Sequence, residues 1–337
     1  MEINKSKTVT FNVNFGIQIL RMILCFWVIV FHFGGYKIKK KYKIINSFLH
    51  VPTFMIISFY FSSKLYSPKN ISKIKLRLEK LLIPFLIIPI IKFGIIILFK
   101  PKIKIKKLFI DLLLQYITGY KIIICLWFIH ILIIFIIFFE IIYLLFKKRY
   151  LFILHIVSII SYWFQYSEIN YNIFIKYKRH LRSVSHFFEM MPIAVTGLTL
   201  GYINIMKQLI NYRMKSIFFS IVILSFIYNY NICGEFRAFY YSGIKKNIAA
   251  LSLFFSFYLI PLEKINKIIF LKIIREISNY TGGIYYFHPI ISNVLSKISF
   301  LRYSKIITCF MIYIIGYFIC LLGTKIFRKT KFKYLFN

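Results

Sequence analysis

Arg21 and His32 stand eleven residues apart inside Phe15–Phe33, FGIQILRMILCFWVIVFHF. The run is long and apolar enough to span a bilayer, which takes ~20 residues. Eleven residues carry an α-helix through about 1100°, within ~20° of three full turns, so both side chains share one stripe at heights about 16 Å apart. Gln18 and Cys25 fall close to the same stripe. An imidazole is a base near neutral pH, and a guanidinium is a permanent cation. Neither faces lipid without a penalty of several kcal/mol, so the stripe looks into protein or a watered cavity. Two readings fit: a functional stripe, or an arginine that snorkels to headgroups with a histidine hydrogen-bonded inside a bundle.

Other chemistries are poorly supplied. The 337 residues hold nine acids, and Asp111 is the only aspartate, so paired carboxylates or a carboxylate-bound metal find few ligands. Five cysteines, odd in number and lying mostly in apolar runs, imply neither a disulfide framework nor a metal site. A net charge of +37 would suit nucleic acid, but the lysines are spread over nearly every loop. That distribution fits anionic headgroups, and no nucleic-acid partner is expected.

The elements that must position the stripe are helices. With 60% hydrophobic residues and a mean hydropathy of +0.74, the chain is an all-α integral membrane protein. It is expected to form one multi-pass domain over 1–337, with a polar lead (1–14) and a basic C-terminal tail (327–337). About ten spans are predicted: Phe15–Phe33, Ile44–Ser63, Leu81–Phe99, Ile122–Phe146, Tyr150–Phe164, Phe187–Met206, Ser216–Tyr230, Ile248–Leu262, Gly283–Ser296 and Ile306–Ile326. Lys64–Lys80 reads as a basic connector, Leu108–Tyr120 as an interfacial helix, and Glu263–Tyr280 as a charged amphipathic connector. Lys and Arg divide almost evenly between the two sides. The densest basic connector and the tail favour both termini in the cytoplasm.

Beyond Arg21-x10-His32 come HVPTFMIIS (His50–Ser58), KLRLEKLLIP (Lys75–Pro84), LWF (Leu126–Phe128) and GGIYYFHPI (Gly282–Ile290). In this order the chain resembles the membrane-bound acyltransferase 3 family over essentially its whole length. It departs where Phe59, not glycine, follows Ser58, and where the basic pair is Lys75-Leu-Arg77 rather than Arg-x-Arg. The resemblance implies transfer of an acyl group, commonly acetyl, from cytoplasmic acyl-CoA to a hydroxyl of a surface polysaccharide or lipid-linked glycan in the cell membrane. It makes His32 the catalytic base and Arg21 a donor-side cation, and it puts Arg77 and Lys75 on the CoA phosphates. Acyl-CoA would be a substrate, with no permanently bound cofactor and no metal.

Direct transfer suits a chain poor in acids, and the rise from Arg21 to His32 suits a phosphate held low and a thioester delivered midway. An oxyanion stabiliser is still needed, for which Ser58 and His288 are the candidates. Glu140 is either a buried partner for a base such as Arg21 or an interfacial group. His130 reads mainly as packing beside Trp127. Glu189 and the 165–186 loop, with Trp163, Tyr166, Tyr171 and Arg179, have the composition of a sugar-contacting surface and equally of an interfacial belt. The rival functions are a glycan flippase and a glycan polymerase of the same membrane.

Overall fold

The computed structural model describes residues 14–34, 49–66, 70–99, 105–119, 123–166, 182–203, 244–260, 269–295 and 305–337, with a few single positions besides. Every regular element among them is helical. In chain order they are α1 (Phe15–Phe33), α2 (His50–Ser62), α3 (Ile71–Phe99), α4 (Ile105–Thr118), α5 (Trp127–Phe146), α6 (Tyr150–Tyr166), α7 (Arg182–Ile203), α8 (Ile244–Tyr258), α9 (Ile269–Asn279), α10 (Thr281–Leu295) and α11 (Lys305–Ile326). A last 3-10 turn covers Lys331–Leu335.

Four stretches are long and apolar enough to cross a bilayer: Phe15–Phe33, Ser72–Leu98, Trp127–Gln165 and Lys305–Ile326. The protein is thus a multi-pass membrane protein, with four such stretches among the described residues against the ten crossings expected. The third is 39 residues long because it holds two helices, α5 and α6, with a reversal at Lys147, where φ is +46°. Exposed apolar residues fall at helical spacing, Phe310, Ile314, Phe318 and Leu322 on α11 and Phe152, Ile156, Ile159 and Trp163 on α6. These stripes are the surface an acyl-chain solvent wets.

Helix boundaries follow local chemistry. Asn14 caps α1 by accepting the Ile17 N–H, and Gly34 ends it. In contrast, α3 starts at Ile71 and takes up half of the expected connector, because Lys73, Lys75, Arg77, Glu79 and Lys80 are good helix formers. Its Pro84 and Pro89 therefore sit in the helix interior. The Tyr116 hydroxyl donates to the Leu86 carbonyl (2.7 Å), beside the Phe85 carbonyl that Pro89 leaves without its i+4 donor. The helix predicted at the interface is α4, and the 165–186 loop is shortened because α7 begins at Arg182. Apart from three single positions the predicted span Ser216–Tyr230 lies outside the described residues, as do Tyr171 and Arg179.

Among the described residues α2 packs closely against α7. Gly197 and Gly201 form a small-xxx-small seam; a Cβ on the first would lie 2.8 Å from the Ile56 carbonyl oxygen, and one on the second 2.3 Å from that of Tyr60. The seam aligns α7 parallel to α2. Asn14 Nδ2 donates to the Tyr258 carbonyl, the Tyr60 hydroxyl donates to that of Tyr258, and Lys331 pairs with Glu79 at 3.1 Å. These contacts place residue 14, the end of α2, the start of α3 and the segment 331–337 at one end of the bundle.

Candidate active site

Sequence-predicted residues gather at the two ends. At the end where α1 finishes, the His32 ring stacks on that of His288, 5.6 Å between centroids and 26° between planes. His50, opening α2, packs on Phe31 (5.5 Å) and Trp27 (5.9 Å) and lies within electrostatic reach of His32. His50 and His288 are buried, whereas His32 is exposed.

The dipeptide His288-Pro289 sets its own geometry. Proline has no N–H to give the Tyr285 carbonyl four residues back, so that oxygen is free. The His288 Nδ1 takes it at 2.6 Å. A carbonyl only accepts, so Nδ1 carries the proton and Nε2 of the neutral ring is a lone-pair acceptor. That Nε2 is buried and has no hydrogen-bond partner among the described residues. The Tyr285 hydroxyl donates to the Cys125 carbonyl at 2.5 Å, tying α10 to the turn before α5. Lys92, within the α3 span, stands in electrostatic reach of both His288 and Cys125.

Midway along α1, Arg21 Nη2 donates to Thr281 Oγ1 at 3.2 Å. Cys25 Sγ donates to the Thr281 carbonyl at 3.5 Å, and Tyr286 is a further neighbour of Arg21. From Cys25 to His32 and from Thr281 to His288 the step is seven residues, about 10 Å of rise in each case. Helices α1 and α10 thus run in parallel register, and one pair of helices joins the arginine level to the imidazole level. Glu140 is not Arg21's partner. No carboxylate among the described residues lies within ion-pair distance of Arg21.

The opposite end holds Arg77. Its Nη2 donates to the Ser58 hydroxyl (2.7 Å) and the Ser58 carbonyl (3.2 Å). Its guanidinium lies 5.4 Å from the centroid of the Phe59 ring. Phe59 is fully buried against Phe135 and Phe139. Phenylalanine, where the resemblance implies glycine, thus gives the arginine a π-face and fills the space behind it. Tyr66 stands in electrostatic reach of both Arg77 and Glu140. Ser58 is eight residues below His50 on α2, about 12 Å of rise, and its hydroxyl is held by Arg77. Of the two oxyanion candidates, then, only His288 stands beside His32. Lys75 is exposed and sits about 200° round the helix from Arg77, so the two do not grip one phosphate side by side.

His130 packs flat on Phe85, 5.5 Å and 13°. Glu189 accepts from His186 at 2.7 Å, with both side chains buried, and the His186 ring stacks on Trp127 at 4.1 Å. Sequence reasoning missed Lys92, His50, Tyr285 and Thr281. Pro289 was the readable clue to Tyr285, but the Arg21–Thr281 contact spans 260 residues and leaves no local trace.

No curated protein and no solved structure matches the chain. The family profile described as an acyltransferase domain matches residues 14–328, from the cap of α1 to the turn after α11. The flippase and polymerase readings give way to it. The chain belongs to the acyltransferase 3 family and is a membrane acyltransferase.

Proposed function

We propose that the enzyme moves an acyl group, most simply acetyl, from acyl-CoA held at the Arg77 end to a hydroxyl presented at the His32 end. The acceptor class is a surface polysaccharide or a lipid-linked glycan. The Arg77 end faces the cytoplasm of the cell membrane, both termini lie on that side, and the chain crosses about ten times. The observation that carries this reading is the exposed His32 stacked on buried His288. A titratable imidazole thus stands where α1 ends, about 16 Å along the helix from the Arg21 level of the same helix pair.

In the reaction His32 takes the proton of the acceptor hydroxyl as its oxygen attacks the thioester carbonyl. The tetrahedral intermediate then collapses, the C–S bond breaks, and the CoA thiolate recovers the proton from His32. Negative charge on the carbonyl oxygen needs a donor or a cation. His288 in its Nδ1–H form offers a lone pair at Nε2 and not a donor. Lys92, a cation within electrostatic reach of His288 among the described residues, takes that role, while His288 holds the His32 ring in place. Arg21, tied to Thr281, carries charge at the level through which the donor arm passes. Arg77 presents its unused N–H groups to phosphate, and Lys75 adds charge from a different face of α3.

The test is acetyl-CoA consumption by the purified protein with membrane glycans as acceptor, wild type beside His32→Ala. Acyl transfer by the wild type alone, with CoA-dependent thermal stabilisation in both proteins, supports the reading. Equal transfer by the variant removes His32 from the chemistry.

A further inference from the structure

Residues 331–337 lie wholly past the family match, which ends at 328, yet they are built into the bundle. The Phe336 ring stacks on Phe287 (5.5 Å, 16°) and Phe327 (5.7 Å, 7°). Three glycines make room for it. A Cβ on Gly323 would lie 2.3 Å from that ring, one on Gly283 2.6 Å from the Phe336 carbonyl oxygen, and one on Gly282 2.6 Å from that of Asn337. Thr324 donates to the Asn337 side chain at 3.2 Å. The segment is thus fixed by shape against α10 and α11.

Lys331 and Tyr334 of the segment meet α3. Lys331 pairs with Glu79 at 3.1 Å. Lys80 and Lys333 both bring their ammonium groups to the Tyr334 ring, at 5.6 and 5.5 Å from the centroid, and neither has a carboxylate within ion-pair distance among the described residues. Arg77 is three residues before Lys80, hence its neighbour on the helix surface. Among the described side chains these four cations, from two separate segments, have one carboxylate beside them, Glu79, and it pairs with Lys331. Like charges held together by a rigid frame repel unless an anion joins them.

The geometry points to a binding face for clustered phosphates between α3 and the 331–337 segment, with Lys80 and Lys333 as its principal ligands and Tyr334 as the platform that holds them. Resting on the acyl-CoA reading, this face takes the nucleotide phosphates of the donor. The same chemistry also suits an anionic phospholipid headgroup.

The experiment measures CoA binding to the full-length protein in nanodiscs of phosphatidylglycerol or phosphatidylcholine, wild type beside Lys80→Gln/Lys333→Gln. The expected result is a CoA dissociation constant raised at least about tenfold in the variant, with a shallower salt dependence, in both lipids. Wild type that ignores CoA but is stabilised by phosphatidylglycerol, with that stabilisation lost in the variant, keeps the phosphate face, makes the headgroup its ligand, and removes the donor reading. CoA binding that is equal in the two proteins, with equal lipid dependence, overturns the face and leaves the donor reading standing. Indifference of wild type to both probes overturns the two together. Phe336→Ala, which loosens the segment without touching a charge, should reproduce part of the affinity loss.

Discussion

The two ends of the bundle answer the same problem, polar groups inside a membrane protein, in opposite ways. At the His32 end the polar groups are imidazoles packed ring on ring, and among the described residues Lys92 is a cation within electrostatic reach of His288. At the Arg77 end they are permanent cations backed by hydroxyls and aromatic faces, with Glu79 pairing Lys331. Groups that change protonation suit proton transfer, and groups that never do suit anion binding. The division predicts that variants at one end lose rate while variants at the other lose affinity.

The sharpest way to break this comparison is His32→Ala. General-base catalysis contributes about 10²–10⁴-fold, so transfer should fall by that much with CoA binding kept. A loss of donor affinity would show that the two ends are not separate in function. Arg77→Ala should do the reverse, raising the donor KM by about tenfold or more, and Arg77→Lys should recover little, because a point charge cannot span both Ser58 oxygens and a phosphate. A fall in kcat alone for Arg77→Ala would place it nearer the chemistry than its contacts indicate.

A third variant sits between the ends. Gly197→Leu drives a side chain into the Ile56 backbone across the α2–α7 seam. Overpacking of this kind costs ~1–3 kcal/mol, so the melting temperature in detergent should drop by several degrees, and transfer rate and donor affinity should fall together. An unchanged melting temperature would mean that α7 does not meet α2 as closely as the glycine seam requires.

How far the sequence disclosed these arrangements depended on the range of the forces involved. The limits of α1 were legible because Asn14 and Gly34 punctuate a continuous apolar run. The start of α3 was not, because a Lys-rich stretch reads as a connector by charge while its residues favour helix by propensity. The Gly197-x3-Gly201 seam stood in the sequence as a recognised spacing and went unread. Arg21 was readable as a buried cation, but its partner Thr281 was not, since nothing near residue 21 encodes it. For Glu140 the sequence left open a basic partner such as Arg21 and an interfacial place. Proximity, which charge cannot supply, puts it near Tyr66.

The finest test of the division lies in Pro289. Replacing it by alanine restores an N–H able to donate to the Tyr285 carbonyl, so the His288 Nδ1 meets a competitor for its acceptor. The ring then loses its fixed tautomer and orientation, and with it the support of His32. Because the change is made through one hydrogen bond worth ~1 kcal/mol, kcat should fall by only a few-fold, with donor affinity and melting temperature nearly unchanged. Tyr285→Phe removes the tie to Cys125 but leaves the Tyr285 carbonyl in place, and so should lower kcat less than Pro289→Ala does. If the order of the two is reversed, the position of α10 against α5 matters more than the tautomer of His288, and the imidazole end is held by packing before hydrogen bonding.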